Sequence, residues 1–247
     1  WPVAHSERYG GMWVPLRHED VAAIAYDTDH FTSRSVVVTE MRPIAEAPRG
    51  IAPPISSDPP FHAGARGMLL PAFSPRAVEA LEPITRAYCA ELLDAVAGQD
   101  TFDAAIDYAQ HIPVRVIAEM LGFPPEDGDT FRAIVHNALE AVDLPPEQRL
   151  ENFLQLDTYL RAQVDDHRAN PRDDLTTFLL QAEMDGEPLQ PEHVGGTIAL
   201  LLIAGIDTTW SAIGASLWHL AQHPDDLARL VSEPELMPTA LEELLRF

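Results

Sequence analysis

The chain has 247 residues, 46% of them hydrophobic and 22% charged, which supplies a buried core and excludes a disordered chain. Acidic residues outnumber basic ones 39 to 16, a formal net charge of −23, which argues against a basic nucleic-acid binder and against docking on anionic membranes. The single cysteine, Cys89, excludes an internal disulfide framework and a cysteine-rich zinc site, and fits a reducing compartment.

In chain order, residues 10–16 alternate weakly between Gly-Gly and Pro and read as a short edge strand. Val21, Ile24 and Ala25 recur at helical spacing within residues 18–26. Residues 35–60 hold six prolines and read as a long loop, a feature more often functional than incidental in a compact domain. Asp58 is an N-cap candidate, with Pro59 at the first helical position, for a helix reaching Leu70. Ser74-Pro75 opens a helix to Ala97, stopped by Gly98, in which Pro83 marks a kink or an early break. Residues 103–121 read as one helix with Ile106, Ala109, Val116, Ile117, Met120 and Leu121 as its core face and Gly122 as its stop. Helices over 125–142 and 146–169 flank Leu144-Pro145-Pro146; a short helix over 173–183 precedes a turn at 185–188. A long helix then runs from Pro191 to Gln222, roughly 48 Å at 1.5 Å per residue, and two more start at Pro224 and near Glu235. The fold class is therefore mainly α with a minor β-sheet and a long central helix, in a single domain over 1–247. The longest apolar run, 198–206, is about half the ~20 residues of a membrane span, and no signal-peptide pattern opens the chain. A cytoplasmic protein with no membrane partner is expected. The chain begins at Trp1 and stops at Phe247 inside a helical pattern, so both ends read as cuts in a longer protein.

Three segments carry chemistry. The long helix reads TIALLLIAGIDTTWSAIGASLWHLA, apolar on nearly all sides, yet Asp207, Thr208 and Thr209 stand in its middle. A buried carboxylate is costly unless it is hydrogen-bonded or wet. A helical Thr hydroxyl bonds back to the carbonyl one turn earlier and loosens the ladder. Gly205, just before them, lets something bulky approach the backbone; the plainer reading, a helix crossing at a small Gly contact, weighs equally. In DPPFHAGARGMLLPAFSP, residues 58–75, His62 and Arg66 share one helix face and suit an anion such as a carboxylate, against the plainer reading of two idle surface side chains. In ALEELLRF, Glu243 and Arg246 are spaced for a local ion pair.

Taken together and in this order, the segments resemble the cytochrome P-450 superfamily of haem-thiolate monooxygenases, in particular its bacterial soluble members. GGMWVPLRHEDVAAIAYDTDHFTS looks like the family's first sheet strands and following helix, DPPFHAGARGMLLPAFSP like its propionate-contacting helix, and AGIDTT, residues 204–209, like its oxygen-binding motif. The resemblance implies a haem (heme b, iron protoporphyrin IX) whose propionates His62 and Arg66 hold. Ala204 and Gly205 would flank the dioxygen groove, and Asp207 and Thr208 would relay protons during oxygen activation. Glu243 and Arg246 would be two parts of a structural Glu-Arg-Arg network. Electrons would come from NAD(P)H through a ferredoxin or flavodoxin-type donor, steered by a basic patch near Arg66. The implied function inserts one oxygen atom of O2 into a small hydrophobic organic substrate, in a monomer. Substrate contacts are expected from Val37, Val38, Leu139, Val142 and Ile203, with Val36, Ile55 and Ile206 as further candidates; Arg34 and Arg42 keep a carboxylate-bearing substrate open.

The family's axial ligand is a cysteine in a loop after the Glu-x-x-Arg helix, and the chain stops before it; no metal ligand is assigned. Cys89, in RAYCAELL, reads as a buried inert thiol. The competing expectation is a haem-free helical binding or scaffolding fragment. Trp210 and Trp218 read as core packing; His193, His219 and His223 make no tight metal cluster; Asp165, Asp166, Asp173 and Asp174 read as a solvated surface.

Overall fold

The computed structural model describes residues 2–35, 50–139 and 144–246. They are mostly helical, with two two-stranded antiparallel sheets, in keeping with the mainly α reading. Contacts group the chain into two compact units, Trp1–Ser74 with Phe178–Leu200, and Pro75–Thr177 with Leu201–Phe247.

In the first unit, β1 (Val3–Ser6) pairs with β2 (Met12–Pro15) in register from Val3↔Pro15 to Ser6↔Met12. Each strand is four residues long, and only β2 is readable in the sequence, because Gly-Gly and Pro bracket it whereas nothing punctuates β1. Gly10 and Gly11 close the hairpin at positive φ, 79° and 92°, which other residues rarely adopt. After α1 (His18–Tyr26), residues 50–60 lead to α2 (Phe61–Leu69), whose N-cap is Pro60. Asp58 is not the expected cap. Its carboxylate instead accepts from the Ser33 N–H at 2.7 Å and from the Thr32 hydroxyl, fastening residues 32–33 beside α2. The turn expected at 185–188 is a hairpin: β3 (Glu183–Met184) pairs with β4 (Glu187–Pro188) around Asp185-Gly186, both at positive φ.

The long helix α8 (Pro191–Gln222) contributes residues 191–200 to this unit. Val194, Thr197 and Ile198 are buried there, and the Thr197 hydroxyl donates to the Pro53 carbonyl at 3.0 Å. A Cβ on Gly196 would stand 2.3 Å from the Ile51 carbonyl oxygen, so the loop backbone lies against α8 only because that side chain is absent. By length and composition α8 would suffice for a membrane span; core helices pass the same test.

The second unit holds α3 (Pro75–Val96), α4 (His111–Leu121), α5 (Gly128–Leu139), α6 (Pro146–Ala169), the start of α7 (Leu175–Gln181), residues 201–222 of α8, α9 (Pro224–Ser232) and α10 (Met237–Arg246). α3 runs through Pro83 without a break. The helix expected over 103–121 is two: a π-helix, Ala104–Ala109, precedes α4, with the Gln110 N–H reaching the Ala105 carbonyl at 3.1 Å. Pro113 has no N–H to return to Ala109, which removes one rung of the ladder beside this turn. The extra residue per turn rotates Ile106 out of the core face to 59% exposure, whereas Ala109, Ile117 and Leu121 are buried as expected.

Gly122 ends α4 at φ 69°, and a Cβ there would meet the Asp174 carboxylate. Asp174 is therefore no part of a solvated acidic run. It accepts from the Thr177 N–H at 2.7 Å, capping α7, and lies 3.2 Å from Nε2 of the buried His167. The other ring nitrogen, Nδ1, donates to the Gln163 carbonyl at 2.7 Å. Asp165 and Asp166 pair with Arg168 and Arg172. Phe123, Phe131, Tyr159 and His167 form an aromatic cluster with centroids 5.6–6.1 Å apart. The Tyr159 hydroxyl donates to Asp127 at 2.7 Å; burial and that bond push its pKa up. Trp218, expected in the core, is 63% exposed.

The two adjacent glycines of α8 separate propensity from packing. Nothing lies within 4 Å of a Cβ on Gly195, so Gly195→Ala gains up to about 1 kcal/mol of helix propensity. Gly196→Ala has the same propensity gain but meets the Ile51 carbonyl, and is expected to lose about 1–3 kcal/mol net. Chemical denaturation of the two variants side by side checks the difference in sign.

Candidate functional site

The polar notch of α8 is built by the helix itself. The Thr208 hydroxyl donates to the Ala204 carbonyl at 3.1 Å, the back-bond expected of a mid-helix threonine. Ala204, Thr208, Ser211 and Ala215 recur at helical spacing and are all exposed, so from 204 to 215 this face carries short side chains, before the exposed Trp218. Thr209 is exposed too. Asp207 is half-buried, not fully buried as the apolar context suggests; partial contact with solvent spares it the cost of an isolated interior charge.

Gly205 points elsewhere. A Cβ there would come within 3.1 Å of Ile117 Cδ1 on α4 and 3.2 Å of its Cγ1. The glycine serves a helix crossing, and open backbone on α8 is offered by Ala204. Ile206, a further pocket candidate, is fully buried in the core, while Ile203 is half-buried. Val36, Val37, Val38, Arg42 and Val142 lie outside the described residues; Leu139 is the last residue of α5, and Ile55 is exposed.

In the first unit, α2 buries Ala65 and Leu69. Its Phe61 ring lies 5.2 Å from that of His193, and a Cβ on Gly64 would touch the Met184 sulfur at 3.0 Å. These contacts fix the helix with His62 half-buried and Arg66 exposed one turn on. Among the described residues neither side chain takes a hydrogen-bond or ion-pair partner, so both donors are free for an anion.

Residues 147–237 match the family model for cytochrome P450. A cytochrome P450 of Priestia megaterium, CYP107DY1, is 32% identical over the whole chain, which covers 64% of that relative. The erythromycin C-12 hydroxylase of Saccharopolyspora erythraea is 35% identical over 98% of the chain and 60% of its own length. The crystal structure of CYP109E1 from Bacillus megaterium in complex with testosterone superposes on all of the chain and 64% of its own, with TM-score 0.85 and 30% identity. The chain belongs to the cytochrome P450 family. It spans less than two thirds of the length of these relatives, all of them bacterial.

The P450 family implies haem, and the chain's free donors suit part of it. In the first unit, a guanidinium and an imidazole on consecutive turns of α2 match carboxylates such as propionates. The chain's one cysteine does not suit a thiolate ligand. Cys89 is half-buried on α3 and hydrogen-bonds with Tyr108, whose pKa is pushed up to about 12 by burial and by that bond. Glu243 and Arg246 form the bidentate ion pair that their spacing predicts, with the Arg246 Nε 2.8 Å from Glu243; this bond holds the Glu243 carboxyl below its ordinary pKa. Both are exposed, and Glu243 borders a groove of about 340 Å3 between α8, α9 and α10. There His219 Nε2 lies 3.0 Å from Asp226 and its ring stacks on His223 at 4.2 Å. Among the described residues no cluster of three or more His, Cys, Asp or Glu side chains suits a metal ion.

The double use of α8 near Gly205 is open to test. Ile117 is buried and cannot readily give way, so Gly205→Ala is expected to cost about 1 kcal/mol. Ile117→Val removes the methyl that a new Cβ would meet. Thermal denaturation of the double variant should then show a cost smaller than the sum of the singles.

Proposed function

We propose that this P450 chain works in a haem-dependent monooxygenase that inserts one atom of dioxygen into a small, mostly hydrophobic organic substrate. Electrons come from NAD(P)H through a ferredoxin or flavodoxin-type donor. Bound haem supplies the centre at which dioxygen is reduced and split. The observation that carries this reading is the Thr208 hydroxyl resting on the Ala204 carbonyl, on a face of small residues, with Asp207 one residue away.

The work of the named side chains follows from their chemistry. His62 and Arg66 hold the carboxylates of the cofactor. Heterolytic cleavage of the O–O bond consumes two protons, and bulk water at that point would divert electrons into peroxide. Asp207, in partial contact with solvent, exchanges protons with water through its carboxylate. Thr208 Oγ1 turns from its own helix to hand a proton on, so delivery passes through one hydroxyl. Ala204, with only a methyl group, keeps the face open beside it. Glu243 and Arg246 tie one turn of α10 and play a structural part.

For the substrate, the relatives support an organic molecule: the name of one states hydroxylation of erythromycin, and another holds testosterone. A basic patch near Arg66, on a chain whose formal net charge is −23, would steer an acidic electron donor. The alternative is a haem-free binding or scaffolding role.

The reduced, carbon-monoxide-treated protein separates the two readings. In the intact protein, with the axial cysteine loop that the family places after the Glu-x-x-Arg helix, a strongly red-shifted Soret band is expected; absence of any haem absorption there would replace the monooxygenase by the binding role. Thr208→Ala should leave haem and substrate binding nearly unchanged and raise the share of electrons released as peroxide; unchanged coupling would remove the relay. Arg66→Ala should lower haem retention after extensive washing, read as the ratio of Soret to protein absorbance, whereas full retention would remove the carboxylate clamp.

A further inference from the structure

A cavity of about 160 Å3 lies in the second unit among α3, α4 and the start of α5, bordered by none of the residues assigned above. Its polar lining comes from Tyr88, His111, Arg115, Glu126, Asp129 and Arg132.

Arg115 is the unusual member. Its guanidinium carbon lies 5.5 Å from the centroid of the Tyr88 ring, which it covers. Its Nε is buried and has no hydrogen-bond acceptor. Among the described residues no carboxylate pairs with it, although the chain holds 39 acidic residues against 16 basic ones. Arg132 brings a second guanidinium to the same small space. Its side chain is 21% exposed, and its ion-pair partner Asp129 is 88% exposed, on the solvent side. Another Arg132 nitrogen donates to His111 Nδ1 at 3.3 Å, which makes the imidazole an acceptor and keeps it uncharged. Consistent with this, burial and the Arg132 charge both hold the His111 pKa below its ordinary value. Burial likewise raises the Tyr88 pKa, so its hydroxyl keeps its proton. Of the acids facing the cavity, Asp129 is engaged by Arg132 and Glu126 is exposed.

Two guanidiniums, that of Arg115 without a carboxylate partner among the described residues, thus line a polar cavity whose acids lie toward water. We propose that this cavity binds a small oxyanion, of the phosphate or carboxylate class, between Arg115 and Arg132. The space, about 160 Å3, admits a tetrahedral oxyanion. Forked planar donors suit such oxygens better than a point charge does. The anion is either free or the head of a larger molecule whose remainder stays outside.

The test is an NMR titration of the purified protein, following the Arg115 Nε–Hε resonance and the Gly128 amide. Inorganic phosphate is one arm, glycerol 3-phosphate the second, and sodium chloride at matched ionic strength the control. Saturable shifts with millimolar phosphate, absent with chloride, are expected; saturation by glycerol 3-phosphate as well assigns the site to an anionic head group, and saturation by phosphate alone to the free ion. Arg132→Gln should weaken phosphate binding roughly tenfold or more. Glu126 is exposed, so Glu126→Gln leaves the fold intact; it should tighten binding roughly two- to fivefold by removing a nearby negative charge. Linear drift identical to that with chloride overturns the proposal, as does saturation unaffected by either substitution.

Discussion

A helix as apolar as α8 can be held in water only by elements that reach its backbone, and the glycines decide where that happens. At Gly196 the carbonyl of Ile51 comes so close that any side chain would collide with it. At Gly205 the Ile117 side chain of α4 fills the space that a methyl would occupy. These two approaches, one in each compact unit, free the remaining surface of α8 for other uses. Between them lie Leu202, buried, and Ala204, exposed, so the helix passes from packing to presentation within one turn. The acid and hydroxyls of the notch stand where packing ends.

The cationic groups follow a related economy. With 16 Lys and Arg against 39 acids, several exposed arginines meet a carboxylate on their own helix, as Arg86, Arg161, Arg168 and Arg246 do. Such exposed pairs contribute little to stability. Arg66 and Arg115 are among the arginines with no carboxylate partner in the described residues, along with Arg8, Arg34 and Arg76. In an acidic chain an unpaired cation is the more informative charge, because an internal partner was so readily supplied elsewhere.

Most helices were legible because Pro and Gly punctuate them: Pro75, Pro146, Pro191 and Pro224 open helices, and Gly122 closes one. The notch was legible for the same local reason, since a threonine back-bond depends only on its own helix. What escaped the sequence depends on distant partners or on altered winding. Asp174 stands in an acidic run and nothing nearby announces that His167 will lie against it. Ile106 has the right spacing for a core position in an α-helix, but the π-turn before Pro113 changes the spacing. Gly205 is conspicuous, yet the direction in which its absent side chain would point requires the position of α4. Arg115 is one ordinary arginine until the cavity beside Tyr88 is formed.

The bond from Thr208 to Ala204 has one more consequence. A hydroxyl that donates to its own backbone is parked, with its lone pairs turned outward and its proton turned in. The helix therefore shows an approaching molecule an acceptor by default and a donor on demand. Changing from one to the other exchanges a single neutral hydrogen bond, a matter of about 1 kcal/mol, so a rotation of one side-chain torsion suffices and the helix axis need not move. A serine in the same place would rotate through more positions and a valine through none that matter. The methyl group that distinguishes threonine from serine acts as a detent on a two-position rotor.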